Sequence, residues 1–168
     1  TLKRMSTLNQ SLLMLSKIEN QQFKDKEEVV FNDVVKTMIS DFSSILEFKS
    51  IELDLIENGE FKTIINKDLA YSLLSNLFKN AIKHNTNNGK IIIELDNHSL
   101  KIKNNSNRKT PLNSRDIFNR FYKESGDQLS TGLGLSIVKT IVDHHSNINI
   151  YYDFEDPFHI FSLKNKNS

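Results

Sequence analysis

The chain has 168 residues, 38% of them hydrophobic, which is enough for one ordinary domain with a buried core and a small appendage. Its 22 basic and 21 acidic residues leave a net charge of +1, so nothing in the balance draws it generally to nucleic acid or to an anionic membrane. The absence of cysteine excludes a disulfide framework and thiol chemistry, and no apolar run is long enough to span a bilayer.

The chain opens on Thr1 inside a helical pattern, without an initiator Met or a visible signal peptide, and so reads as a piece excised from a longer protein. Met5, Leu8, Leu12 and Leu15 alternate spacings of three and four, the seam of a helical hairpin or coiled coil, and Leu2, Leu13 and Ile18 widen the stripe. A helix packed on its own domain would carry the same stripe. Residues 22–27 form a polar linker and 29–31 a short strand. Asn32 or Asp33 is expected to cap a helix that runs to about Phe48. Residues 51–56 alternate as a strand, as do 61–65 more weakly, with a turn at Asn58-Gly59. A helix over 67–84 follows, then a hairpin of 91–95 with 100–103. A second helix begins after Gly132 and Gly134, and strands over 148–152 and 158–163, joined through Asp156-Pro157, close the sheet. The expected architecture is α+β, a two-layer sandwich in which three helices cover one face of a mixed sheet.

Two segments carry chemistry. In the run Ser130, Thr131, Gly132, Leu133, Gly134, Leu135, the glycines permit a tight turn and close backbone approach. Leu135, Val138, Ile141 and Val142 then repeat at helical spacing. Free N–H groups and the positive dipole end at such a helix start favour phosphate; a glycine turn that merely starts a helix is the plainer alternative. On the 67–84 helix, Ala70, Leu74, Leu77, Phe78 and Ala81 form the apolar face, and Asn76, Asn80, Lys83 and His84 share a stripe beside it. Asn is a mediocre helix former, because its side chain competes for backbone groups. Its amide oxygen is a neutral hard ligand suited to magnesium. Lys83 can meet a phosphate as a point charge, and His84 offers a flat ring to a base. Against this, the chain uses Asn freely throughout.

Residues 105–130 are too long for an ordinary connection. They hold Arg108, Lys109, Arg115, Arg120 and Lys123 against Asp116, Glu124 and Asp127, an excess of positive charge suited to covering a triphosphate. A solvated loop pinned by Phe118 and Phe121 is the alternative, and both readings can hold at once. Among the five histidines, His98 lies in a turn, His144 and His145 end the second helix as caps, and His159 reads as structural in the last strand. Capping is the better account of Asp143-His144-His145 than a metal site.

Together these segments resemble the N-box and G2-box of sensor histidine kinases, whose ATP-binding (Bergerat) fold is shared with type II topoisomerases, Hsp90 chaperones and mismatch-repair ATPases. Residues 117–123 resemble the F-box in the form typical of two-component kinases, and the order of the three motifs matches the family. The resemblance implies ATP and magnesium as cofactors. Asn80 would bind the metal, Lys83 would touch phosphate, His84 would lie beside the adenine, and Arg120 and Lys123 would belong to a mobile lid. It also implies an Asp-x-Gly-x-Gly motif after a strand. Here Asn104 takes the Asp position, and Ser106 and Arg108 replace the glycines. An Asn carbonyl still accepts the adenine amine's hydrogen bond, without charge assistance. The implied ATP contacts are Asn76, Asn80, Lys83, His84, Asn104, Ser106, Arg120, Lys123, Thr131, Gly132, Leu133, Gly134 and Leu135.

By the same resemblance, residues 1–24 are the second helix of a dimerisation hairpin and 25–168 the catalytic ATP-binding domain. No catalytic residue lies in the chain, because the phosphoacceptor His sits on the absent first helix. The expected partners are ATP, that phosphoacceptor helix, a response regulator and a second copy of the parent. No nucleic acid is expected, and a membrane only through upstream segments of a cytoplasmic domain whose parent is anchored in the inner membrane. The alternatives are a degenerate nucleotide-binding or scaffolding module, and a related serine kinase or ATPase.

Overall fold

A computed structural model describes residues 1–128 and 130–166. The expected lid and the expected 25–168 domain therefore include residues outside the described set, namely Leu129 and residues 167–168. The elements run α1 (Leu2–Glu19), β1 (Glu27–Val30), α2 (Phe31–Asp41), α3 (Ser43–Phe48), β2 (Glu52–Glu57), β3 (Lys62–Ile65), α4 (Lys67–Lys83), β4 (Lys90–Leu95), β5 (Ser99–Asn105), α5 (Gly134–Asp143), β6 (Ile148–Glu155) and β7 (Phe158–Asn165).

The main sheet has five strands in the order β2-β4-β5-β7-β6. Strands β4, β5, β7 and β6 pair antiparallel with their neighbours, while β2 pairs parallel with β4 because α4 crosses between them. Alternation sets the two faces. Ile91, Ile93 and Leu95 of β4 and Leu100, Ile102 and Asn104 of β5 are buried. Of the intervening residues, Lys90, Glu94, Lys101 and Lys103 carry charge, with Lys103 bonded to Glu94 at 2.7 Å and Lys90 to Asp54 at 2.7 Å. Helices α2, α4 and α5 cover the apolar face, through Val35 and Met38, Leu73, Leu74 and Phe78, and Val138 and Ile141.

Strand β3 pairs antiparallel with β1 in a separate two-stranded sheet. Two expectations are corrected at the N-terminal side. The helix expected to reach Phe48 breaks at Phe42, whose ring turns edge-on to Phe78 at 5.5 Å, and resumes as α3. Nor do Asn32 and Asp33 cap α2, which starts at Phe31 behind Val30. Asn32 is buried instead. Its amide donates to Glu57 Oε1 at 2.8 Å and to the Gly59 carbonyl at 3.0 Å, and accepts from the Phe61 N–H at 3.1 Å. A buried amide must satisfy its own polar groups, and bridging α2 to the β2–β3 connection does so.

Helix α1 packs on the domain at its C-terminal end. Leu15 and Ile18 join the core beside α5, while Leu2, Met5, Leu12 and Leu13 stay exposed. At the far end of α5 the two histidines cap as expected: His144 Nδ1 meets the Thr140 carbonyl at 2.8 Å and His145 Nδ1 the Ile141 carbonyl at 2.5 Å. Asp143 pairs with Lys139.

Candidate nucleotide site

Helix α4 is set by Asn66, whose side-chain oxygen accepts from the N–H groups of Asp68 at 2.9 Å and Leu69 at 3.2 Å, satisfying first-turn donors. Its apolar face is fixed against the sheet, so the stripe of Asn76, Asn80, Lys83 and His84 must point sideways. That stripe borders a cavity of about 680 Å³. Asn104 and Ser106 at the end of β5, Lys123 in the long connection, and Thr131, Gly132, Gly134 and Leu135 at the start of α5 border the same cavity. Eleven of the thirteen expected contacts thus converge.

The two exceptions have clear causes. Leu133 is fully buried, anchoring the start of α5 in the core. Arg120 does not line the cavity, because its guanidinium pairs with Glu19 on α1. Of the two phenylalanines expected to pin the connection, Phe118 does so, edge-on to Phe161 at 6.2 Å, and Ile117 is buried beside it. Phe121 does not: it is more than half exposed and takes a positive φ of 61°.

The polar groups differ in how they are committed. Asn76 donates to the Ser72 carbonyl at 2.8 Å, which leaves its oxygen toward α5. The Asn80 amide makes no hydrogen bond among the described residues and stands half-buried at the cavity wall. Asn104 is 2% exposed; its amide donates to the Asn105 carbonyl at 2.9 Å, and its oxygen accepts nothing among the described residues. A buried amide with one free acceptor at a cavity suits an exocyclic amine. Ser106 accepts from the Arg108 N–H at 3.1 Å, and neither residue takes a positive φ, so this turn replaces the glycine geometry of the family motif.

Electrostatics follow from burial and pairing. Burial, with Lys83 beside it, pushes the His84 imidazole down, so the ring is neutral at pH 7. Lys83 pairs with Asp127 of the long connection. Burial alone would raise the Asp127 carboxyl, but hydrogen bonds from Lys83 and Ser130 outweigh it and hold the group well below the usual carboxylate range. No side chain caps the N-terminus of α5, which opens beside the cavity. The arrangement offers backbone and lysine charge to phosphates, an amide oxygen to a hard cation, and an acceptor and a flat ring to a base.

Two groups of cavity residues have no signal in the sequence. Lys3, Arg4, Thr7 and Ser11 of α1 border it, because α1 lies along α5. His159 stands opposite Asn104 in the β5–β7 register and also borders it. Its Nδ1 accepts from the Tyr152 hydroxyl at 2.8 Å and its Nε2 donates to the Arg108 carbonyl at 2.9 Å, while the Leu112 N–H donates to Tyr152 at 2.9 Å. This chain ties the start of the long connection to β6 and β7.

A family model described as histidine kinase-, DNA gyrase B- and HSP90-like ATPase matches residues 65–164. The heme sensor protein HssS of Staphylococcus aureus is 35% identical over 153 residues, which cover 86% of this chain and 33% of that protein. The chain therefore spans about a third of the length of the curated relatives it matches. Among solved structures, the Acinetobacter baumannii histidine kinase AdeS superimposes with a TM-score of 0.75 at 24% identity, covering 98% of this chain and 79% of that one. The histidine kinase ThkA, solved in complex with the response regulator protein TrrA, superimposes with a TM-score of 0.72 at 21% identity, covering 98% of this chain and 47% of that one.

Proposed function

Because the chain belongs to the histidine kinase-, DNA gyrase B- and HSP90-like ATPase family, we propose that it is the ATP-binding domain of a two-component sensor histidine kinase. In this reading it holds Mg-ATP and presents the γ-phosphate to a histidine on an upstream helix. One observation carries the reading: the Asn80 amide, unpartnered among the described residues, shares a single cavity with Lys83 and the open N-terminus of α5.

The open turn at Gly132–Gly134 takes the phosphates on its N–H groups, and Lys83 adds a point charge. Asn104 accepts from the base amine, with the neutral ring of His84 beside the base. Lys123, which has no ion pair among the described residues, covers the phosphates from the lid. The Asn80 oxygen suits magnesium, which would neutralise phosphate charge when bound. Catalysis in such a domain is positioning and charge neutralisation. The alternative of a degenerate scaffold is not favoured, since the altered Asn104 position still offers a free acceptor.

Residues 1–24 are the second helix of a dimerisation hairpin in this proposal and 25–168 the catalytic domain. The exposed Leu2, Met5, Leu12 and Leu13 support a helical partner and a homodimeric parent. The response regulator partner rests on the complex solved for ThkA. No described helix is long and apolar enough to cross a membrane, which fits a cytoplasmic portion of an inner-membrane protein. Calorimetric titration of ATP with and without magnesium tests the site. Asn80→Ala should abolish the magnesium-dependent part of binding with the fold intact; equal Mg-ATP affinity in variant and parent overturns the assignment.

A further inference from the structure

We propose that Asp127 is an internal anion that competes with the nucleotide phosphates for Lys83. The inference rests on the nucleotide reading of the cavity and adds a regulatory element to it.

The Asp127 carboxylate is built into its place. Its side chain is only 15% exposed. It takes the Lys83 ammonium on Oδ2, the Ser130 hydroxyl on the same oxygen at 2.6 Å and the Ser130 N–H on Oδ1 at 3.2 Å. Its own N–H donates to the Glu124 carbonyl at 3.1 Å, closing a short turn. Gly126 stands in that turn at a φ of 93°, with no heavy atom within 4 Å of where a Cβ would be. The carboxylate therefore follows a glycine that itself stands in open space, while Lys83 ends the helix α4. A second acid of the turn, Glu124, pairs with Arg108 at the cavity wall.

Lys83, whose side chain is 36% exposed, carries a single positive charge and cannot neutralise a carboxylate and a phosphate at once. Leaving Asp127 in place would set like charges against each other, which is costly away from bulk water. Phosphates must therefore displace Asp127, and the lid turn moves with it on Gly126. Removing the charge at position 127 favours ligands that carry phosphates and leaves the base unaffected. Asn at this position keeps an acceptor for Ser130, so the turn retains its shape.

The experiment is calorimetric titration of the parent and of Asp127→Asn with Mg-ATP, ADP and adenosine, with thermal melts to verify folding and Asp127→Ser as a second variant. Mg-ATP and ADP are expected to bind about tenfold tighter to the variants, the scale of one charge-assisted contact released, with adenosine unchanged. Unchanged or weaker ATP binding overturns the proposal. An equal gain for adenosine overturns it too, because that marks general loosening of the lid. Failure of every protein to bind any of the three ligands overturns the nucleotide reading itself.

Discussion

Gly134 faces Asn76 so closely that a Cβ at position 134 would stand 3.4 Å from the Asn76 amide oxygen. The glycine turn and the asparagine helix, far apart in sequence, thus meet at the cavity wall. Gly134 needs no positive φ, and a methyl there would meet Asn76 in ordinary contact. Gly132 differs, with a φ of 72° and a would-be Cβ only 2.8 Å from the backbone of Phe121.

The two alanine variants should therefore separate. Gly132→Ala forces a strained φ and pushes the long connection away, at a cost of about 1–3 kcal/mol. Gly134→Ala should alter stability by under about 0.5 kcal/mol but weaken ATP binding, because its methyl would stand at the helix start proposed to take the phosphates. Urea unfolding and ATP titration check the pair; equal losses of stability in both would contradict the distinction.

Asn104→Asp acts in opposite directions on the free and nucleotide-bound forms. The variant loses the bond to the Asn105 carbonyl and sets a carboxylate against that oxygen in a site 2% exposed. The free protein should lose about 1–3 kcal/mol of stability. A base amine would then meet a charged acceptor, and ATP affinity should rise by about 1 kcal/mol. Melting with and without ATP reads both effects, and an affinity that stays level or falls would show that Asn104 meets the base differently or not at all.

Much of this was legible in the sequence because the signals were local. The apolar stripe of α4 and the glycines before α5 fix which side chains share a helix face or a helix start, and that placed Asn76, Asn80, Lys83 and His84. Partners chosen across the fold left no such mark. Asn32 has the composition of a cap, yet its amide bridges Glu57, Gly59 and Phe61. Arg120 has the charge of a phosphate contact, yet Glu19 of α1 takes it. Strand β3 alternates as a strand, yet nothing local marks β1 as its partner. His159 enters the cavity only through its register with Asn104.

Acid should destabilise the protein through His145. Burial is the first cause that lowers its pKa, with Lys26 and His144 adding positive charge nearby; the Ile141 carbonyl acts the other way. Its Nε2 is buried without a partner among the described residues, so a second proton there would be unpaired. The folded form therefore binds fewer protons than the unfolded chain. His145 contributes its full stability above the unfolded value near 6.5 and loses it as pH falls below that. The melting temperature should drop between about pH 7 and 5.5, above the range where most carboxylates titrate. In His145→Gln the drop should be shallower, whatever the variant's starting stability. His84, also pushed down by burial, contributes the remaining slope.

The 168-residue chain should not label itself with γ-phosphate. In-line transfer needs an exposed imidazole aimed at the cavity with a carboxylate to take its proton. His144 and His145 spend Nδ1 on the carbonyls of Thr140 and Ile141, at the end of α5 opposite its open N-terminus. His159 spends both nitrogens, on Tyr152 and Arg108. His98 is exposed, but it sits in the turn between β4 and β5, away from the cavity wall. His84 borders the cavity, yet burial holds it neutral beside Lys83, in the place proposed for a base contact. Incubation with γ-labelled ATP should therefore give no acid-labile label. A longer chain carrying an upstream helix with a His and an acidic neighbour should label, and Lys83→Ala should suppress that label by loosening the triphosphate. Stoichiometric acid-labile label on the 168-residue chain alone would overturn this assignment and turn attention to His144 and His145.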